Sequence, residues 1–182
     1  MPVADPLVMP LVLELLECYE AELAKMETPP NSIGVRPGTV VDFLLSMSDD
    51  ECCNGLAWIR PEGFYPSSAA FPAQDTVAQK QGTRAWAVTV ELGYVQCAPT
   101  PDETSIPTNE EWLAVTQSVM DAGAAMRRAL CCFIDAQPMR AQRVLPGQWR
   151  PIAVQGGCVG GAIPVTIMGP ACDCSDAGDT SS

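Results

Sequence analysis

The sequence predicts an α+β fold, in which an antiparallel β-sheet is flanked by an N-terminal helix and one long helix and ends in a C-terminal β-hairpin. Three patterns predict it: an amphipathic helical pattern near the N-terminus, strict two-residue alternation over residues 84–96, and a longer helical pattern over residues 108–133. A chain of 182 residues can bury one core. We therefore expect a single domain over residues 1–168, followed by an acidic tail over residues 169–182 that contains serine and cysteine.

The first predicted element is a helix over residues 6–27. Asp5 is a suitable N-cap, and Pro29 and Pro30 end the helix. Its apolar side chains recur at helical spacing, with glutamates around them. They are Leu11, Leu15, Tyr19, Leu23 and Met26. This pattern is typical of a helix that packs on a sheet of its own chain, although a partner-binding helix would share it.

The strand signals follow. Residues 56–60 predict a short strand, which residues 61–63 are expected to break. Residues 64–68 then either continue as an edge strand or lead into a loop. Residues 84–96 predict the clearest strand, with one apolar face and one face of mostly small residues. The apolar face carries Trp86, Val88, Val90, Leu92 and Tyr94. Residues 39–46 fit either a short strand or the first turns of a helix, and residues 67–82 predict a long loop.

A capping box opens the long helix. Thr108 is the expected N-cap, and Glu111 lies three residues further on, as that motif requires. The helix is expected to end near Phe133. Its apolar stripe recurs at three- and four-residue steps. The stripe comprises Trp112, Val115, Val119, Ala122, Met126, Ala129 and Phe133. Arg127 and Arg128 lie in the C-terminal half, where positive charge stabilises the helix dipole.

The last third of the domain predicts a closing hairpin. Residues 148–154 and 162–168 read as strands, and residues 155–161 form a glycine-rich loop between them. No Lys-Ser or Lys-Thr follows the glycines, and a strand rather than a helix comes next. The loop is therefore neither a phosphate-binding loop nor a dinucleotide fingerprint. Its glycines are expected to occupy positive-φ positions in a wide loop or a bulge.

Composition excludes several kinds of function. The net charge is −12, so DNA phosphates and anionic membranes repel the chain. This charge serves either solubility alone or a surface past which DNA slides. Histidine is absent, which excludes Ser-His-Asp and Cys-His catalysis and histidine-ligated metals. We expect no enzyme, no cofactor and no membrane association, and synthesis in the cytoplasm, because no secretory signal is recognisable.

Nine cysteines are many for a cytosolic chain, and an odd number cannot all pair within it. Most are expected to be small buried hydrophobic residues. Cys131 and Cys132 point to different sides of their element and are poor partners for each other. A zinc site is the alternative, although the usual two-residue knuckle spacing is missing. Its four ligands would be Cys52, Cys53, Cys172 and Cys174.

The ending of the domain resembles that of the tail terminator proteins of long-tailed bacteriophages, particularly those of actinobacteria. The resemblance lies in Trp149-Arg150-Pro151, in the Gly-Cys-Gly loop of residues 156–161, and in Pro164-Val165-Thr166-Ile167, where that family often has a Thr-Val-Thr-Val-like strand. The order of helix, strands, long helix and hairpin is also similar. The acidic, cysteine-bearing tail from Gly169 departs from the family pattern.

The resemblance implies a homohexameric ring in the virion neck, assembled in the host cytoplasm. Such a ring ends polymerisation of the tail tube protein and joins the tail to the head-closure or connector protein, while DNA passes through without specific binding. Subunit contacts are expected at Trp86, Val88, Val90, Trp149, Cys158 and Val165. Acids of the lumen or rim are expected at Asp49, Asp50, Glu51, Asp102 and Glu103.

Other functions stay open beside this one. A head-closure or head-to-tail connector protein of the same neck shares the location and the small size, but a head-to-tail adaptor would be more helical than the strand pattern of residues 84–96 indicates. A binding module that holds a metal through its cysteines belongs to a different class. An enzyme is the weakest hypothesis, because no catalytic motif is present.

Overall fold

A computed structural model of the chain describes residues 5, 7–38, 55–67, 71–75, 85–101, 106–136, 143–155 and 157–171. The element order is α1 (Val8–Leu23), β1 (Ser32–Val35), β2 (Leu56–Pro66), β3 (Ala85–Cys97), α2 (Asn109–Asp135), β4 (Val144–Pro146), β5 (Arg150–Gln155) and β6 (Cys158–Ala171). The predicted α+β class is confirmed, with its N-terminal helix, one long helix and C-terminal strands. The ambiguous segment 39–46 lies outside the described residues.

Six strands form one sheet in the order β1-β2-β3-β6-β4, with β5 also paired to β6. The pairings of β2 through β6 are antiparallel, as predicted, whereas β1 runs parallel to β2. The centre is a long ribbon of β3 and β6, with 13 and 14 residues. Strand β6 ends at Ala171, so the sheet continues three residues into the predicted tail.

Helix α1 begins close to its predicted cap. The Asp5 carboxylate accepts hydrogen bonds from the backbone N–H groups of Leu7, Val8 and Met9, at 3.2, 2.8 and 2.6 Å. Desolvation alone would raise the pKa of Asp5, but these three bonds outweigh it and lower the pKa. Pro10 lies in the first turn, where its missing N–H breaks no intrahelical bond.

The predicted capping box of α2 is confirmed. The Glu111 N–H donates to Thr108 Oγ1 at 3.3 Å, and the Thr108 N–H donates to Glu111 Oε2 at 2.7 Å. The helix ends at Asp135, two residues beyond the predicted Phe133. Five members of the predicted stripe are buried: Val119, Ala122, Met126, Ala129 and Phe133. Trp112 lies at the border of the stripe and is 38% exposed.

Two predictions about strand ends are wrong. Residues 61–63 do not end β2, because a bulge between Pro61 and Gly63 carries the pairing with β3 on to Pro66. Of the two alternatives for residues 64–68, continuation as a strand is confirmed for residues 64–66. The glycine loop is also shorter than predicted, since β6 begins at Cys158. Among the described glycines of that loop, only Gly157 has a positive φ, +79°. The glycines that follow serve a different purpose, close packing within the strand.

The sheet is covered differently on its two faces. Both helices pack on one face and form the main core with alternate residues of β3 and β6, such as Val90 and Val165. The opposite face carries a smaller cluster of Leu56, Trp58, Val95 and Cys158. The strict alternation predicted for residues 84–96 therefore exists, but part of its small-residue face is buried as well.

Candidate assembly site

Most of the predicted contact residues lie inside the chain itself. Val88 and Val90 are fully buried, and Val165 is 1% exposed, all three in the core under the helices. Cys158 is 2% exposed in the cluster on the other face. A second copy could reach these side chains only by opening the core, so their burial argues against the predicted role in subunit contacts, which stays a prediction. Period-two alternation identifies a packed face but does not say which chain packs on it.

Trp86 is the exception on β3, because it stays half-buried. Its ring meets the ring of Phe64 edge to face, with centroids 5.5 Å apart and planes at 67°. Phe64 is 59% exposed. This aromatic pair is packed on one side and open on the other, which is typical of aromatic residues at protein contacts.

Trp149 is wedged between the long helix and the last hairpin. A Cβ added at Gly161 of β6 would lie 2.1 Å from Trp149 Cζ2, and one added at Gly123 of α2 would lie 3.3 Å from Trp149 Nε1. The two glycines thus form a seat for the indole, in which Gly161 leaves no room for a Cβ and Gly123 leaves only a tight fit. The indole N–H is buried, and no described residue accepts a hydrogen bond from it. Trp149 therefore packs within its own chain, and its role in a subunit contact stays a prediction.

A second tryptophan lies on the opposite face, with its polar group satisfied. Trp58 covers Gly93, where an added Cβ would lie 2.1 Å from the ring. Its indole N–H donates to Glu91 Oε1 at 3.2 Å. Arg60, which is 8% exposed, binds Glu91 at 2.9 Å and Glu62 at 3.1 Å. These contacts neutralise charges in a largely buried place, where an unpaired charge is costly.

The two helices are joined by charge. Glu22 of α1 accepts a hydrogen bond from Lys25 and another from Arg128 Nε of α2, the latter at 2.7 Å. These two bonds lower the pKa of Glu22, with the Lys25 bond the larger cause. The sequence suggested a dipole role for Arg128, but the structure shows a contact between the helices.

The helices are also joined covalently. Cys18 of α1 and Cys132 of α2 form a disulfide across 114 residues of chain. Cys97 and Cys158 each take part in a disulfide as well, whereas Cys131 is an exposed free thiol. Four of the five cysteines in the described ranges are thus oxidised, so the prediction that most are simple buried hydrophobic residues is wrong for them. Disulfides of this kind persist in oxidising surroundings, such as those of secreted proteins and virions.

Several predicted residues lie outside the described residues. They are the five acids of the lumen or rim, Asp49, Asp50, Glu51, Asp102 and Glu103, and the four zinc candidates, Cys52, Cys53, Cys172 and Cys174. Within the residues that are described, no three Cys, Asp or Glu side chains are grouped closely enough to hold a metal ion. Neither described helix has the length and apolarity needed to cross a bilayer.

An open groove lies where the C-terminal end of α1 meets α2. Its volume is about 240 Å³, and its lining includes Met26, Glu27, Gln117 and Asp121. We call it the acidic groove, because the carboxylates of Glu27 and Asp121 line it. Neither carboxylate forms an ion pair with a described residue. Helix α2 also exposes 66% of Leu113 and 45% of Met120, each adjacent in sequence to a residue that lines the groove.

Two exposed arginines lie along the β4–β5 edge of the sheet, one opposite Met168 and the other opposite Ala162 of β6. We call Arg143, Leu145 and Arg150 the basic edge. Val144 is buried toward the helices, so its neighbour in β4, Leu145, faces away from them. Arg150 pairs with Ala162, whose neighbours in β6 face the helices, so Arg150 also faces away. Both arginines are exposed, and neither forms an ion pair with a described residue.

Comparison with known proteins adds no relative. No protein-family model matches the chain, and no curated protein sequence matches it. Functional inference therefore depends on the resemblance of residues 148–168 and on the geometry described above.

Proposed function

We propose that this chain is a structural virion protein of the phage neck, a tail terminator. It forms a ring on the tail tube, ends the polymerisation of the tube and joins the tail to the head connector while DNA passes through. One observation carries the proposal: residues 148–168, which bear the resemblance, form the β5–β6 hairpin that closes a sheet backed by two helices. This is the arrangement that the resemblance implies.

The residues that make this ending distinctive are the ones that pack it. Trp149 needs Gly161 beneath it, and a Cβ at Gly160 would lie 1.9 Å from the carbonyl oxygen of Tyr94. The tryptophan and the glycines of the segment thus form one packed unit. This supports treating the resemblance as a structural pattern rather than as a coincidence of composition.

Charge and redox state also support the proposal. A net charge of −12 suits a ring through which a polyanion must slide. The Cys18–Cys132 disulfide suits a protein that works in a released particle, outside the reducing cytoplasm. A terminator synthesised in the cytoplasm would fold there in the reduced state and gain the disulfide after lysis.

The test is capping of tail tubes. The purified protein is added to tubes polymerised from the tail tube protein of a long-tailed actinobacterial phage, and tube length and tube ends are scored by negative-stain microscopy. We expect shorter tubes that carry a six-fold ring on one end. Light scattering on the protein alone records whether the ring exists before it meets a tube. A protein that neither forms rings nor binds tubes would overturn the proposal.

The same experiment separates the neighbouring function. A head-closure or connector protein would bind the portal vertex of an emptied capsid and leave tube length unchanged. Both binding partners are therefore presented to equal amounts of protein. Binding to the capsid vertex without capping of tubes would indicate a head-closure or connector protein instead of a tail terminator.

A further inference from the structure

Cys97 and Cys158 have disulfide partners that the described residues do not supply. Each of the two takes part in a disulfide. Within the described part of the chain, the only disulfide that joins two cysteines is Cys18–Cys132, and Cys131 is a free thiol. The partners of Cys97 and Cys158 therefore come from the four cysteines in the rest of the sequence. Those four are Cys52, Cys53, Cys172 and Cys174.

Cys97 and Cys158 lie side by side at one end of the sheet. They are opposite each other in the register of β3 and β6. The Ala98 N–H donates to the Gly157 carbonyl oxygen at 2.7 Å, so the neighbouring pair, Cys97 and Cys158, is not hydrogen-bonded. In such a pair the two Cα atoms are about 4.5 Å apart. The two partners must therefore reach the same place on the sheet.

The cysteines that follow β6 are too far from that place. Strand β6 runs from Cys158 to Ala171 over 14 residues, so at about 3.3 Å per residue its ends lie roughly 40 Å apart. Cys172 and Cys174 follow Ala171 by one and three residues, and three residues span at most about 11 Å. A disulfide joins Cα atoms that are no more than about 7 Å apart. Neither cysteine can therefore bond to Cys158 or to the residue opposite it.

The cysteines that precede β2 are within reach. Leu56, the first residue of β2, pairs with β3 two residues before Cys97. Leu56 also belongs to the same apolar cluster as Cys158. Cys52 and Cys53 precede Leu56 by four and three residues, a span of at most about 14 Å. Consecutive Cα atoms are about 3.8 Å apart, which is close to the spacing of the two thiols to be bonded.

We infer that the adjacent cysteines Cys52 and Cys53 are the disulfide partners of Cys97 and Cys158, one for each. Each bond forms as two thiols lose two protons and two electrons, which a small disulfide such as oxidised glutathione accepts as it becomes two thiols. The bonds join the chain before β2 to β3 and to β6, on the face of the sheet opposite the helices. This inference goes beyond the proposed neck function and does not depend on it.

Two consequences follow for the molecule. Both faces of the sheet are cross-linked, because Cys18–Cys132 already joins the helices on the other face. The zinc site that the sequence left open loses Cys52 and Cys53, two of its four ligands. The cysteines before β2 thus serve the fold in oxidising surroundings instead of binding a metal.

Peptide mapping without reduction tests the inference. The full-length protein is oxidised with glutathione disulfide, and its remaining thiols are blocked with N-ethylmaleimide. Cyanogen bromide, which cleaves after methionine, and then trypsin separate the groups of cysteines onto six peptides, which mass spectrometry identifies. The peptides are residues 10–25 with Cys18, 48–60 with Cys52 and Cys53, 85–120 with Cys97, 129–139 with Cys131 and Cys132, 144–168 with Cys158, and 169–182 with Cys172 and Cys174.

We expect one species in which peptide 48–60 is bonded to both 85–120 and 144–168. The bond between peptides 10–25 and 129–139 is the positive control. A species made of 85–120 and 144–168 alone, or a bond from either of them to 169–182, would show that the inference is wrong.

Two double variants sharpen the result. Cys52→Ser with Cys53→Ser should remove the three-peptide species. Cys172→Ser with Cys174→Ser is the matched control, since it also removes two cysteines, and it should retain that species. Loss of the three-peptide species in the control would assign the bonds to the cysteines after β6 and overturn the inference.

Discussion

Two tryptophans lie on glycines of adjacent strands, one on each face of the sheet, and they are held in different ways. Trp58 is buried over Gly93, and its indole N–H is bonded to Glu91. Trp149 is half-buried over Gly161, and its N–H has no acceptor among the described residues. The first is held by packing and hydrogen bonding together, the second by shape. A tryptophan packed on a glycine therefore does not by itself determine how rigidly that face of the sheet is held.

On the face that the helices cover, two links between the helices compensate for the hydrogen bond that Trp149 lacks. Cys18–Cys132 joins α1 to α2 covalently, and Glu22 joins them through Arg128. Trp149 then needs only to fill the space between α2 and the hairpin. The opposite face relies on the Trp58 cluster and its ion pairs. Each face should therefore respond to a different set of substitutions.

The largest expected effect is loss of the helix-layer disulfide. Replacing Cys18 and Cys132 together by serine removes a cross-link that closes a loop of 114 residues. The chain-entropy argument gives a loss of about 4–5 kcal/mol in unfolding free energy. Urea denaturation under non-reducing conditions measures it. Cys131→Ser, at the exposed free thiol, is the matched control and should leave stability unchanged. Equal stability of the double variant and the control would show that the cross-link contributes nothing.

The second prediction compares the two seats directly. Gly93→Ala and Gly161→Ala each place a methyl group 2.1 Å from an indole ring. Trp58 is 1% exposed and cannot move aside, so Gly93→Ala should cost about 3 kcal/mol, the upper part of the range for overpacking. Trp149 can shift toward solvent, so Gly161→Ala should cost about half as much. Thermal unfolding of both variants checks the order.

Gly34→Ala is the control for this pair, because an added Cβ there would be 3.7 Å from its nearest neighbour, an ordinary contact. It should leave the melting temperature unchanged or raise it slightly. If Gly161→Ala lowered the melting temperature more than Gly93→Ala, the Trp149 ring would be held more rigidly than its exposure indicates. The helix face would then be the more rigid of the two faces of the sheet.

The third prediction isolates the indole N–H. Trp58→Phe and Trp149→Phe remove similar volume, but only the first removes a hydrogen bond and deprives Glu91 of a donor. Trp58→Phe should therefore be the more destabilising by about 1 kcal/mol. Denaturant titration of the two variants gives the difference. Equal losses would mean that the bond to Glu91 adds nothing beyond packing.

Local signals in the sequence predicted both helices and strands β2, β3, β5 and β6, but not the short strands β1 and β4. The capping box of Thr108 and Glu111 and the alternation along residues 84–96 are short-range patterns, and both appear where expected. The parallel pairing of β1 with β2 was not predictable, because its register depends on how distant segments meet. The same holds for the bulge after Pro61, which reads in the sequence as a strand end.

The candidate site was harder to predict than the fold. Val88, Val90 and Val165 have the pattern of a packed face, and nothing in that pattern separates a core from a subunit contact. The partnership of Cys18 with Cys132 depends on the crossing of two helices far apart in sequence. The glycine seats could have been suspected, since Gly93 and Gly161 interrupt strands where glycine is otherwise unfavourable.

The smallest effect concerns the charge link between the helices. Lys25 and Arg128 are 63% and 50% exposed, so Glu22→Gln should cost less than about 1 kcal/mol at pH 7. The pKa of Glu22 is lowered in the fold, so its contribution is fully present above the ordinary value of 4.5 and is lost as the pH falls through the lower value of the folded state. The stability difference between wild type and Glu22→Gln should therefore shrink toward zero in acid. The control is Glu20→Gln, at an exposed glutamate of the same helix, which should leave stability at pH 7 unchanged. A wild-type advantage that persisted undiminished at acid pH would show that Glu22 joins the helices through packing rather than charge.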